Sequence, residues 1–449
     1  MRIFKNKNLL ILGLLCCVAS CQAQSLLDLY LVARGYDALF QSAFNQLQAS
    51  EARAGQSRAA LLPQIGLQAG AQVNALDSSF SGAGSNSFRH HSVSGALIGS
   101  QPLYRPTSSI GWEQSRKQVK LAQIQLIAAE QDLIVRLSQA YFDVLGAADS
   151  LSTVRALKNA VAEQLKSARQ NFERGTAIIT DSREAQARFD LVVAQEIAAQ
   201  NDLLVKQFAL DQISGRLNSK PHPLIQPVVV PVPKPNDVNI WIEFAVKQHP
   251  TILQNRITLD VAGMEIKKAK TGYLPTVDLQ ATVGLQRYPR GNPAFFTTPR
   301  DPYHANNAGI SIMLNWPLFS GFAVEDRVRE TQALQAKAQN DLNNTERTIS
   351  QAIRSAFFGV QSSLNQVTAL QTAEQSSLSA LETMQVGYQA GVRLNIDVLN
   401  AQSQLYQTRH DLAKARYDAI VGLLRLKQTA GTLNSADLES INRLLTSHD

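Results

Sequence analysis

The chain repeats itself, and this duplication constrains the fold more than any other feature of the sequence. Segments of the first half return in the same order in the second half, at an offset of 212 to 216 positions. The matching pairs are Leu62-Pro63 and Leu274-Pro275, Ala140-Tyr141-Phe142 and Ala356-Phe357-Phe358, and Ala185-Gln186 and Ala401-Gln402. A shared order at a near-constant offset indicates internal duplication. The sequence therefore predicts two structural repeats, 24–220 and 237–433, joined by a proline-rich linker (221–236) and followed by a C-terminal segment (434–449).

Each repeat contains two segments in which apolar and polar residues alternate, and in the first repeat a helix precedes them. The apolar positions are Ile65, Leu67, Ala69, Ala71 and Val73, then Val93, Gly95, Leu97 and Gly99 in the first repeat, and Val277, Leu279, Ala281, Val283 and Leu285, then Ile310, Ile312, Leu314, Trp316 and Leu318 in the second. A period of two residues is typical of a strand with one apolar face. We therefore expect two strands per repeat, separated by loops at 77–91 and 287–309.

Two interpretations of these strands remain open. Each is about ten residues long, as a tilted membrane strand would be, and Tyr104, Tyr288, Trp316 and Phe319 lie near strand ends as in an aromatic girdle. The alternative is a small soluble pair of hairpins packed on helices. Since four strands cannot close a barrel, the membrane interpretation requires several copies to contribute strands to one ring.

Very long helices follow the strands. Residues 107–172 contain almost no helix breaker except Gly146, so this segment would extend roughly 100 Å at 1.5 Å per residue. Its three-four apolar spacing shifts by four residues between Leu133 and Leu137, which is a coiled-coil stutter. The last helix has a heptad seam at Val398, Leu405, Leu412, Ala419 and Leu426. Gly175 and Gly391 are expected to mark turns between antiparallel helices.

The N-terminus has the pattern of a secretory signal peptide over residues 1–23. Basic residues precede an apolar run at 9–19 that is too short to span a membrane as a helix. Cleavage before Gln24 and a lipobox that ends at a lipidated Cys21 are both consistent with the sequence. The three cysteines, Cys16, Cys17 and Cys21, lie in this segment, so we expect no disulfide in the mature chain.

The remaining motifs argue against catalysis, cofactors, metals and nucleic acid. The chain has a formal net charge of +7 but no basic stripe with interleaved aromatic residues. It has no His-Glu-x-x-His motif and no Walker loop, and Gly82-Ala83-Gly84-Ser85 falls in a predicted loop rather than at a nucleophile elbow. His90 and His91 are adjacent but lack a nearby carboxylate, which favours surface histidines over a metal site. We expect no enzymatic activity.

Taken together, these features resemble the TolC family of outer-membrane factors over essentially the whole mature chain. The resemblance rests on Ser25-Leu26-Leu27-Asp28-Leu29-Tyr30, Leu61-Leu62-Pro63-Gln64, Gln101-Pro102-Leu103-Tyr104, Ala140-Tyr141-Phe142-Asp143-Val144-Leu145, Gly391-Val392-Arg393, Asp397-Val398-Leu399 and Ala430-Gly431-Thr432-Leu433. It implies an α+β membrane protein: a homotrimeric, twelve-stranded β-barrel with four strands per chain, continuous with a long α-helical coiled-coil tunnel in the periplasm. The linker and the segment 435–447 would form a belt around that tunnel.

The resemblance also implies a function and partners. The chain would be an outer-membrane exit duct of tripartite efflux pumps and type I secretion systems, with either drugs or proteins as cargo. Its partners would be its own copies, outer-membrane lipid, a periplasmic adaptor protein and an inner-membrane pump of the RND, ABC or MFS type. Adaptor docking would involve the helix turns at Gly175 and Gly391.

Family members close the periplasmic end of the tunnel with a latch formed by a carboxylate, a tyrosine and an arginine. The matching positions are Asp181, Tyr388 and Arg393, with Thr180 beside the first. An arginine–carboxylate pair is a charge-assisted hydrogen bond, and a tyrosine hydroxyl adds a second donor. The resemblance therefore implies a periplasmic gate at these four residues.

A polar stripe on the last helix can be interpreted in two ways. Asp397, Gln404, Asp411 and Asp418 recur every seven residues. They could form a solvated outer face, or, as the resemblance implies for Asp397, line the lumen, where three copies would make a cation-selective acidic ring. The second aspartate of the family motif is replaced by Asn400, so the ring would carry half the charge.

A second hypothesis is a periplasmic coiled-coil scaffold with a soluble hairpin cap and no pore. Membrane fractionation distinguishes the two, because a protein with membrane strands stays in the outer-membrane fraction after a carbonate wash and a scaffold does not.

Overall fold

The computed structural model of the chain describes residues 24–80, 84–176, 178–225, 227–289 and 302–445. The predicted signal peptide, with its three cysteines and both candidate cleavage sites, lies outside the described residues, as do Gly82, Ala83 and the last four residues. Within the described ranges, no helix combines the length and the apolar content needed to cross a membrane.

The elements follow the same order in both repeats. The first repeat contains α1 (Leu26–Tyr36), α2 (Ala38–Ala59), β1 (Gln64–Phe80), β2 (Gly84–Tyr104), α3 (Pro106–Glu173) and α4 (Ile179–Ser214). The second contains α5 (Val238–Gln248), α6 (Pro250–Lys270), β3 (Thr276–Tyr288), β4 (Tyr303–Asn315), α7 (Ala323–Gln389) and α8 (Asn395–Thr429), and a short α9 (Ser435–Asn442) follows. Helix pair, strand pair and two long helices thus occur twice, as the sequence repeat predicts.

The four strands form one antiparallel sheet in the order β1-β2-β3-β4. The pairings Leu67–Leu97, Leu97–Val283 and Val283–Ala308 place the alternating apolar residues of all four strands on one face. This apolar face is not packed on helices, because Leu67 is 78% exposed and Ile310 is 79% exposed. The soluble hairpin cap packed on helices is therefore not what the chain forms.

The opposite face of the sheet is polar and nearly uncharged. Its side chains over 64–74, 92–102, 276–286 and 305–315 are mostly amides, hydroxyls and small residues. Within those described positions the one charged residue is Asp278, whose carboxylate accepts a hydrogen bond from Arg105 at 2.7 Å.

The predicted loops were too long, since the strands extend into them. β1 has 17 residues and β2 has 21, so most of 77–91 is paired strand, including Gly84-Ser85, and His90 and His91 lie in β2 rather than in a loop. Ladder hydrogen bonds use main-chain groups, so a Ser- and Gly-rich segment can still pair. β4 begins at Tyr303 and ends at Asn315, before Pro317, which has no N–H to donate.

The two longest helices confirm the predicted rods. α3 has 68 residues and α7 has 67, which gives each a length of about 100 Å at 1.5 Å per residue. α3 packs along α4, α7 packs along α8, and α8 also packs along α3. The heptad residues Val398, Leu405, Leu412, Ala419 and Leu426 of α8 are all at most 2% exposed, as the seven-residue period predicts.

A belt of other segments surrounds the middle of α3, where the stutter lies. Leu224 pairs with Leu445, and the N–H of Gln24 donates to the carbonyl of Lys220 at 2.8 Å. The buried Tyr141 hydroxyl accepts the His222 N–H at 2.8 Å and lies 3.1 Å from the His222 carbonyl. The linker, the start of the described chain and the C-terminal segment therefore meet on α3, which is buried on several sides between Leu133 and Leu145.

Candidate functional site

The helix turns at the end of the rods farthest from the sheet have the same geometry in both repeats. Gly175 and Gly391 have φ angles of +74° and +75°. The Thr176 N–H donates to the Asn171 carbonyl at 2.8 Å, and the Val392 N–H donates to the Gly387 carbonyl at 3.0 Å. These are Schellman motifs, in which a residue in the left-handed region closes the helix, and glycine takes that conformation without a Cβ clash.

Three of the four predicted latch residues line one cleft beside these turns. Asp181, Tyr388 and Arg393 border a cleft of about 850 Å³ between the ends of α3 and α4 and the ends of α7 and α8. Thr180, next to Asp181, is exposed. The structure thus brings together a carboxylate, a phenol and a guanidinium that lie more than 200 positions apart in the sequence.

Within one chain these three side chains do not bond to each other. Among the described residues, the hydrogen bond recorded for the Tyr388 hydroxyl comes from the amide of Asn171 at 3.5 Å, and no ion pair joins Asp181 to Arg393. A distance of 3.5 Å is at the limit of a hydrogen bond, so Tyr388 is weakly held. The latch itself stays a prediction.

The cleft also contains polar residues that the sequence reasoning missed. Arg174 and Asn171 line it, and the fully buried Asn395 accepts a hydrogen bond from the Gln164 amide across the α3–α8 contact. The equivalents of Arg174 and Asn171 in the second repeat are Ala390 and Gly387. Because the comparison of repeats looks for shared residues, it overlooks groups that only one repeat carries.

Gly387 has a steric role at the edge of the cleft. A Cβ at this position would lie 2.7 Å from Cγ of Arg393. The absence of a side chain therefore lets the aliphatic part of Arg393 lie directly on the last turn of α7.

Asp181 and Asp397 occupy first-turn positions of α4 and α8, where the helix dipole favours a carboxylate. Their roles differ. The Asp397 carboxylate accepts the N–H of Leu394 at 3.2 Å and so satisfies the N-cap amide at the start of α8. Asp181 instead borders the cleft with Tyr388.

Asn400, the second position of the predicted ring, is exposed. It borders another cleft of about 740 Å³ between α3, α4 and α8, together with Arg188 and His410. Asp397 and Asn400 thus have different neighbours within one chain, and the acidic ring, which concerns three copies, stays a prediction.

An ionic cluster fastens the α3–α4 pair away from the turns. Glu196 on α4 accepts hydrogen bonds from Lys158 at 2.5 Å and Arg155 at 3.1 Å, both on α3. These bonds, that from Lys158 most strongly, hold the pKa of the Glu196 carboxyl below its usual value. On the second pair, Arg409 of α8 bonds to Glu374 of α7 at 2.9 Å. Each helix pair is therefore held together by ion pairs, and the turns lie beyond these contacts at the end of the pair.

The described part of the chain offers no metal centre. No group of three or more histidine, cysteine, aspartate or glutamate side chains converges there in a way that could hold a metal ion.

The sequence matches one protein family over most of its length. Residues 32–216 and 241–432 match the family described as outer membrane efflux protein. The chain is 33% identical over 420 residues to the outer membrane protein TolC of Vibrio cholerae serotype O1, covering 94% of this chain and 93% of the relative. It is 29% identical over 424 residues to the alkaline protease secretion protein AprF of Pseudomonas aeruginosa, covering 93% of this chain and 87% of the relative.

Solved structures share the fold at lower sequence identity. The outer membrane protein VceC of Vibrio cholerae superposes with a TM-score of 0.76 at 18% identity, covering 90% of this chain and 96% of VceC. The CmeC outer membrane channel of Campylobacter jejuni gives a TM-score of 0.76 at 15% identity, covering 94% of this chain and 90% of CmeC.

The turn geometry generates a prediction. Gly391→Ala places a Cβ at φ +75°, which costs about 1–2 kcal/mol, whereas Gly359→Ala inside α7 meets nothing within 4 Å and should be neutral or stabilising. Hydrogen exchange of the amides around the α7–α8 turn should accelerate roughly 5- to 30-fold in Gly391→Ala only. Equal exchange at the turn in the two variants would contradict the assigned geometry.

Proposed function

This chain belongs to the outer membrane efflux protein family, and from that premise we propose that three copies assemble into one exit duct that a pump loads from the periplasm. The family is one of outer-membrane transport proteins rather than of enzymes, and the chain is an outer-membrane protein of this kind. The observation that carries the trimeric duct is the sheet, which has four strands, an exposed apolar face and two edge strands.

The edges explain why copies must associate. β1 and β4 each pair with a neighbour on one side only within the described chain. Unpaired ladder groups are costly where water is scarce, so β1 of one copy is expected to pair with β4 of the next. Closure in this way leaves the exposed apolar face outward toward lipid and the polar face inward.

The test is conductance of the assembled protein. Protein extracted from outer membranes in mild detergent should migrate as a trimer and should form channels in planar bilayers, because the closed ring encloses a polar passage. A carbonate wash should leave it in the membrane fraction. Protein that is monomeric in mild detergent and shows no channel activity would favour the pore-free scaffold instead.

The duct is gated at the helix turns by Thr180, Asp181, Tyr388 and Arg393. The support is the shared cleft and the weak hold on Tyr388 within one chain. Asp181 and Arg393 carry opposite charges on separate helix pairs, so they can pair when the helices of the assembly move closer. A few such bonds in threefold symmetry can hold a gate whose two states differ by a few kcal/mol.

Removing the gate bonds should open the duct. Arg393→Ser combined with Tyr388→Phe deletes the cation and the phenol hydroxyl while the helices remain intact, so single-channel conductance and sensitivity to large antibiotics should both rise. The matched control is Arg347→Ser, an exposed arginine on α7 away from the cleft. Conductance in the double variant equal to that of the control would rule out the latch.

An acidic ring at Asp397 supplies cation preference near the gate. Three carboxylates, with neutral Asn400 in place of three more, attract a multivalent cation with roughly half the Coulomb energy of six. The bond to the Leu394 N–H supports the position of this ring near the gate, because it holds the Asp397 side chain at the start of α8, next to the α7–α8 turn.

The acidic ring is tested by measuring how strongly a trivalent cation blocks the channel. Asn400→Asp should strengthen block, Asp397→Asn should nearly abolish it, and added salt should weaken it through screening. The asparagine in Asp397→Asn still offers an acceptor to the Leu394 N–H, so the helix start is preserved. Equal block in the wild type and both variants would place Asp397 outside the lumen.

The partners are an adaptor protein and an inner-membrane pump that dock at the turns around Gly175 and Gly391. The relatives support two kinds of cargo, since AprF and PrtF are named for protease secretion and BepC for efflux. The exposed Phe172, Val386 and Val392 beside the turns offer apolar contacts for such docking.

A further inference from the structure

The apolar face of the sheet ends in basic residues on the side away from the helices. Arg287 and His304 are direct cross-strand partners on β3 and β4, and both are exposed. Arg287 is also opposite Val93 on β2, and His91 lies two residues from Val93 on the same face. Three basic side chains therefore lie together where the apolar residues stop.

The distance from the helical end of the apolar face to these basic residues matches the thickness of a membrane's apolar layer. From Val277 to Arg287, β3 spans ten residues, or roughly 33 Å at 3.3 Å per residue. A strand tilted by about 40° converts this to a height of roughly 25 Å, which is the height of the apolar band on membrane strands. Arg287 therefore lies where lipid tails give way to headgroups.

The other boundary of the apolar face has a different composition. At the helical end, Trp316 and Tyr273 are half exposed, and the Trp316 indole N–H donates to the Tyr273 carbonyl at 3.1 Å. Phe319 beside them is 76% exposed. Aromatic side chains suit any lipid–water boundary, whereas a basic group suits an anionic one. Within the described strands, the apolar face of the sheet itself carries basic residues only at the boundary away from the helices.

Acidic groups do not neutralise the basic cluster on this face. Between Val277 and Leu285, and at the paired positions of the other described strands, the face carries no charged side chain. Asp77 shares the face but is six residue levels farther along the sheet than Arg287, roughly 20 Å away at 3.3 Å per residue. Within the described strands, no acidic group on this face is therefore close enough to pair with Arg287.

We propose that His91, Arg287 and His304 bind the phosphate groups of lipid headgroups in the leaflet that faces the strand-connecting loops. The inference rests on the proposed placement of the sheet in a membrane. Arg287 keeps its charge at any physiological pH and presents a planar fork of donors that matches a phosphate, and each imidazole adds an N–H donor. A trimer carries three such clusters, so each copy binds its own lipid phosphate.

The test uses purified full-length protein in neutral detergent, titrated with diphosphoryl lipid A and with lipid A from which both phosphates have been removed. Bound lipid is counted by native mass spectrometry. One basic group near an anionic surface is worth a factor of about five, so Arg287→Gln should bind diphosphoryl lipid A about five-fold more weakly. Arg287→Gln combined with His304→Gln should bind it still more weakly.

The control is Arg347→Gln, which removes one exposed arginine from α7, roughly 36 Å along the helix from its sheet end, and should leave binding unchanged. Equal affinity of the wild type and Arg287→Gln would overturn the proposal, as would equal affinity for phosphorylated and dephosphorylated lipid A. If inorganic phosphate displaces the lipid at comparable concentration, the cluster is a general anion site and the commitment to a lipid fails.

Conductance separates this proposal from the exit duct. Arg287→Gln should still form trimeric channels in planar bilayers, since the residue lies on the face opposite the passage. Loss of lipid A selectivity with normal conductance supports the lipid site, whereas loss of channels in the wild type would refute the duct itself.

Discussion

The seams of α8 hold the two repeats together along the rods. α8 packs against α7 of its own repeat and against α3 of the other, and its heptad residues are almost completely buried. A glycine on α8 permits close approach of α7, because the Val360 side chain lies 3.4 Å from where a Cβ of Gly422 would be. Without this helix, α7 would have little contact with the α3–α4 pair, and the cleft between the helix ends would not exist.

Duplication supplies two similar hairpins of helices, and divergence gives them different chemistry at their tips. Both tips close through the same Schellman geometry, yet the first carries Arg174 where the second has Ala390. The two first-turn aspartates also diverge, since Asp397 caps its own helix while Asp181 borders the cleft. Each hairpin thus carries an aspartate and an arginine near its tip, but Arg174 and Arg393 do not occupy equivalent positions of the two repeats.

Periodic features of the fold could be predicted from the sequence, whereas features that depend on distant contacts could not. The seven-residue spacing of α8 and the two-residue spacing of the strands predicted which faces are buried or apolar, because each period fixes side-chain direction locally. The loop at 77–91 was mispredicted, because strand pairing there depends on the neighbouring strand and not on composition. Asn171 and Arg174 were overlooked, since only the folded chain brings them to Tyr388. The latch residues themselves came from a family resemblance rather than from periodicity.

The neutral lining of the sheet has a consequence for transport. In the proposed duct, the polar face over the described positions 64–74, 92–102, 276–286 and 305–315 presents mostly amides and hydroxyls, and the one charged side chain among them, Asp278, is paired with Arg105. Amides and hydroxyls reorient to solvate anions and cations alike, so this stretch resembles a polar solvent more than an ion-exchange resin. A drug cation, an anionic conjugate and an unfolded polypeptide would meet similar resistance there. Discrimination by charge would then depend on the groups at the helix turns, whereas the sheet would admit solutes of either sign.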